Sequence, residues 1–163
     1  MHHWAVGRPP DKRAWLEDVA RRTQLIRPAQ RAYPDLTMRR EQVQGADAGV
    51  VYKVGVTVPV EGYPDRHVTI KFHSAQPDVP NVFADGPNES PHRYHGALGT
   101  GRSPLCLWLP GDGENRRWVP NDGLLHLLAI VILHLFNEAW WRETGVWLGE
   151  QAPHPPRKKD RPA

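Results

Sequence analysis

Residues 124–136 decide what this chain can fold into. All of them are apolar except two histidines, His126 and His134. At helical spacing such a run is apolar on nearly every side. The helix predicted from Asp122, a plausible cap, through Trp140 and Trp141 must therefore be covered by the rest of the chain. Gly145 is expected to stop it, with Trp147 and Leu148 packing on its end. The run falls well short of the roughly 20 apolar residues of a membrane span, so it reads as a buried helix and no membrane partner is expected. His126 and His134 are eight residues apart. They are expected to share roughly one face, as core or rim groups rather than ligands.

A core helix needs a sheet to lie on, and the preceding chain supplies one. Val50, Tyr52, Val54, Val56 and Val58 alternate with other residues across 50–58, Val68, Ile70 and Phe72 do so within 66–73, and residues 36–43 alternate in part. Gly45-Ala-Asp-Ala-Gly49 and Glu61-Gly-Tyr-Pro-Asp65 have the composition of hairpin connections, which predicts an antiparallel meander. Val79, Val82 and Phe83 predict a short fourth strand interrupted by prolines. Ahead of the sheet, Trp15, Leu16, Val19 and Ile26 recur at helical spacing within 11–31, and Lys12, Arg13, Arg21, Arg22 and Arg31 give that helix a basic, solvated side. Pro28 is expected to end or kink it.

The class is thus α+β. A length of 163 residues fits one domain, expected over 11–150 between a flexible lead-in at 1–10 and a basic, proline-rich tail at 151–163. With 39% hydrophobic and 24% charged residues the composition is that of a soluble globular protein, and 17 prolines and 14 glycines announce long connections. The N-terminus shows no signal-peptide core and there is no pair of cysteines, so the cytoplasm is the expected compartment. A net charge of +3 owes much to Arg157-Lys-Lys-Asp-Arg161. Short charged termini are usually solvated, and nucleic acid is not the expected partner.

Chemistry concentrates on Pro104-Leu-Cys-Leu-Trp-Leu-Pro110. Cys106 is the sole cysteine, which makes it a candidate nucleophile whose partners come from elsewhere in the fold. The alternative is that it packs as a small hydrophobe. A polar loop of about twenty residues leads into it, a length that is usually functional when real. Pro91-His-Arg-Tyr-His-Gly96 and Gly99-Thr-Gly-Arg-Ser103 place imidazole and guanidinium groups within fifteen residues of the thiol. A histidine or arginine beside a cysteine raises its thiolate fraction, and His92 or His95 could orient or deprotonate an attacking group. Equally, these side chains could serve only to satisfy loop backbone groups. Metal binding is the weaker reading, because His92, His95 and Cys106 lack a compact ligand pair, and no cofactor is expected.

The order of helix, meander, proline-rich extended segment, loop, cysteine, tryptophan and helix resembles the ubiquitin-conjugating-enzyme fold over about residues 11–149. Val79-Pro-Asn-Val-Phe83 is similar to that family's proline segment, Cys106-Leu107 to its active-site dipeptide, and Trp118 stands twelve residues later. One departure is clear. His92-Arg93-Tyr94-His95 occupies the region of the family's His-Pro-Asn turn, so the asparagine that steadies the oxyanion there has no counterpart. Leu105-Cys-Leu-Trp, Trp140-Trp-Arg-Glu-Thr-Gly145 and Ala152-Pro-His154 resemble the prokaryotic branch in CBASS antiphage systems, in the standalone version of the short operons. The resemblance implies a thioester on Cys106, the C-terminal tail of a cGAS-like nucleotidyltransferase as partner, and priming of second-messenger synthesis. Two other functions stay open: a catalytically silent module that only holds the nucleotidyltransferase, and a cysteine hydrolase using Cys106 with His95 or His92.

Overall fold

Alternating valines make the inner face of the sheet. In the computed structural model, which describes residues 14–93, 103–108, 112–113 and 116–149, strand β2 (Gly49–Val60) turns Tyr52, Val54, Val56, Val58 and Val60 inward. β3 (Tyr63–His73) pairs with it antiparallel, setting Phe72 opposite Tyr52, Ile70 opposite Val54 and Val68 opposite Val56. β1 (Thr37–Val43) and β4 (Gln76–Ala84) complete a four-stranded meander in the order β1-β2-β3-β4. The expected fold class is observed, with an N-terminal helical region, the meander and a long C-terminal helix in that order.

The fourth strand is longer than its prolines suggested. Its register with β3 shifts between Lys71 and His73, opposite residues 77–80. Pro77 and Pro80 fall within that irregular stretch of an edge strand, where a missing amide donor removes no ladder bond. The β2–β3 connection is likewise tighter than the five residues expected, since Val60 already pairs with Tyr63.

The N-terminal helix is two pieces, α1 (Ala14–Glu17) and α2 (Val19–Ala32). Asp18 breaks the run by capping α2, its Oδ1 accepting the Arg21 amide at 3.0 Å. The expected start at Asp11 lies outside the described residues. Pro28 does not end α2, because burial of Ile26 and Ala29 outweighs one lost backbone bond. Val19, expected on the apolar side, is exposed. In α1, Trp15 packs its edge on Phe72 at 5.2 Å and on Trp118 at 6.1 Å, closing the core at one end.

A 3-10 turn (Pro120–Asp122) leads into α3 (Gly123–Thr144), which lays Leu124, Leu127, Leu128, Val131 and Leu135 into the core. Asp122 turns its side chain back to the Val119 amide at 3.1 Å rather than capping α3. Gly145 ends the helix as expected, in the left-handed conformation at φ +77° that glycine adopts without strain. Two expectations for α3 are corrected. It is not covered all round: Leu125 is 40% and Leu133 61% exposed, because the sheet and α2 reach only part of its circumference. Nor is it short, since the stretch 120–144 is long and apolar enough to cross a membrane. Its fully buried leucines and its ion-paired Glu138 nevertheless make it the core helix of this domain.

Candidate functional site

Cys106 sits on a short extended segment pinned from two sides. The Leu105 amide donates to the Val82 carbonyl of β4 at 2.9 Å, and the Cys106 amide donates to the His92 carbonyl at 3.0 Å. Leu105 also forms an isolated antiparallel bridge with Arg93. The two ends of the long loop are therefore stitched together as a miniature ladder beside β4. Leu105 points into the core, and Cys106 keeps 8% of its surface open, with Sγ 3.8 Å from the Trp108 carbonyl.

Arg93, the bridge partner of Leu105, belongs to a buried ionic cluster. Arg93 donates from Nε to Glu138 Oε2 at 2.8 Å and from Nη2 to Oε1 at 2.7 Å, a two-pronged pair that fixes orientation as well as charge. Its third prong, Nη1, donates to Asn88 Oδ1 at 2.5 Å, and Nη2 also reaches the Pro87 carbonyl at 3.3 Å. Glu138 has no exposed surface. Burial alone pushes its carboxyl up, but the hydrogen bonds from Arg93 and the contact with His134 outweigh burial and bring it down to about 2. His134 Nε2 stands 3.5 Å from Glu138 Oε2, one helical turn earlier on α3. Arg142 Nη1 stands 4.0 Å from Oε1, and this side chain also ties down the Glu89 carbonyl at 3.0 Å.

An aromatic contact closes the circuit. The ring centroid of Trp147 lies 4.2 Å from that of His92 and 5.3 Å from that of His134. The His92 amide donates to Ser90 Oγ at 3.0 Å. His92 thus meets Cys106 through its main chain while its imidazole lies against Trp147. A family model described as type II CBASS E2 protein matches residues 28–155. The chain belongs to this family. It is an E2-like protein associated with CBASS, and the matched stretch contains Cys106, the ionic cluster and Trp147. No curated protein matches the chain.

Of the candidate site residues in this E2-like protein, the structure brings Cys106 and His92 together, and His95 lies outside the described residues. His126 and His134 do not share a face: His134 is buried and His126 exposed. Eight residues on a helix leave them roughly 80° apart. Glu138, Asn88 and the buried role of Arg93 were not foreseen. A signal for Glu138 was present, because the inward positions 124, 127, 128, 131 and 135 continue to 138, where a carboxylate interrupts the apolar stripe.

Proposed function

We propose that this chain carries the C-terminus of a cGAS-like nucleotidyltransferase as a thioester on Cys106 and passes it to an acceptor in the cytoplasm, priming antiphage cyclic-nucleotide signalling. The observation that carries the reading is the placement of the sole cysteine, within the family-matched region, on a segment whose amides are tied to β4 and to His92. The Cys106 thiolate attacks the carbonyl of an activated acyl donor, an adenylate or a thioester. A C–S bond forms and the donor's leaving group departs. An acceptor amine then attacks, the C–S bond breaks, the amine gives up its proton and the thiolate is restored. Splitting one acyl transfer this way replaces a hard step with two easier ones. His92 contributes by holding the Cys106 backbone.

The test is intact mass, with and without reductant, of the protein purified with the nucleotidyltransferase encoded beside it, for wild type and Cys106→Ala. A thiol-labile adduct carrying the partner, absent from the variant, is the expected result. A stable complex with no covalent species in either protein overturns the reading in favour of a module that only holds its partner.

A further inference from the structure

We infer that the buried Arg93–Glu138 pair, braced by His134 and Trp147, is the positioning device for the Cys106 thiol, clamping the strand that carries His92 onto the C-terminal half of α3. Its consequence for transfer rests on the thioester reading above; the geometry stands apart from it. The contacts form a closed ring. Cys106 hydrogen-bonds the His92 carbonyl, and the His92 ring packs on Trp147. Trp147 packs on His134, which stands beside Glu138, and Glu138 grips Arg93, the residue after His92. Arg93 also bridges Leu105, the residue before Cys106.

Two features mark the pair as a device for register rather than for stability alone. A buried ion pair adds little stability over apolar side chains of similar volume, so its value lies in what it orients. The guanidinium spends its three nitrogens on two elements: Glu138 of α3, and the segment after β4 through Asn88 Oδ1 and the Pro87 carbonyl. A planar fork fixes a direction; a point charge does not.

The test uses two variants of the full chain, the charge-free pair Arg93→Met with Glu138→Leu, and the single Arg93→Lys. Iodoacetamide labelling of Cys106 well below the unfolding temperature reads the thiol without any acyl donor. Adduct formation with the co-expressed nucleotidyltransferase reads transfer, and pull-down reads binding. The charge-free pair is expected to stay folded and keep its partner. Its nearly buried thiol should label about fivefold faster or more as the segment opens locally, and the adduct should form about tenfold slower or more because the sulfur is misplaced. Arg93→Lys, which keeps the charge but loses the fork, is expected to fall on the same side as the charge-free pair. Wild-type labelling in the folded charge-free pair overturns the inference. So does Arg93→Lys with wild-type labelling and wild-type adduct formation. Changed labelling with no adduct in any form, wild type included, supports the clamp and overturns only the thioester reading.

Discussion

Glu138→Gln isolates the charge at the centre of the clamp. The carboxylate has no exposed surface and takes two hydrogen bonds from Arg93, itself 6% exposed. A glutamine amide keeps the shape but offers one acceptor where there were two, and turns an N–H group toward the guanidinium. Arg93 is left buried without its counter-charge. Removing one partner of a buried pair costs about 3–5 kcal/mol, which in a domain of this size lowers Tm by about 10 °C. The pH dependence follows from the folded carboxyl lying at about 2 against an ordinary value of 4.5. Because the folded value is depressed, the stabilisation is fully present above about 4.5 and is lost as pH falls toward about 2. The whole difference is about 3 kcal/mol, and about 2 kcal/mol of it has gone by pH 3. Urea unfolding followed by tryptophan fluorescence, at pH 7 and pH 3, reads both numbers. The variant should be less stable by about 3–5 kcal/mol at pH 7 with an unchanged urea slope, and the gap should narrow by about 2 kcal/mol at pH 3. Equal midpoints at pH 7 would refute the buried pair. A gap that does not change with pH would refute the depressed carboxyl.

Gly86→Ala should destabilise by about 1–3 kcal/mol, read as a fall in Tm, because Gly86 sits at φ +71° and an added Cβ would meet the Arg66 guanidinium at 3.2 Å. A change smaller than about 0.5 kcal/mol, the range of an ordinary surface substitution, would show that the turn after β4 relaxes freely. Leu128→Ala removes a fully buried core side chain and should cost about 2–5 kcal/mol. Leu128 stands ten residues before Glu138 on α3, about 15 Å along the axis. Cys106 labelling in the folded Leu128→Ala protein should therefore match wild type; a shift as large as that of the clamp variants would mean that any core damage reaches the thiol.

Much of the fold was legible because its signals are local. The inward residues of β2 alternate from Tyr52 to Val60, Gly145 stops α3 where a left-handed residue was needed, and the sheet order follows from short hairpins. The misreadings arose where tertiary packing overrode local preference. Pro28 stays inside α2 because Ala29 beside it is buried, and β4 runs through two prolines because an edge strand with a register shift does not need their amides. At the site, the cysteine and its neighbouring histidine could be named from the sequence, since a unique thiol and a polar loop stand out. The clamp could not be read in the same way. Arg93 and Glu138 are 45 residues apart, and only the folded arrangement shows that this loop arginine enters the core.

The clamp also bears on the departure from the related fold. The resemblance drawn from the sequence sets His92-Arg93-Tyr94-His95 where that family has its His-Pro-Asn turn, and without a proline there the rigidity of such a turn has to come from elsewhere. It comes from long-range bonds: the Cys106 amide on His92, the Leu105 amide on β4, and the Arg93 fork on α3. The Leu105 bond ties the cysteine segment to the sheet, the Arg93 fork ties the neighbouring segment to α3, and the Cys106 bond joins the two. The backbone bridge between Arg93 and Leu105 joins the residue after His92 to the residue before Cys106, so the two anchored segments hold each other.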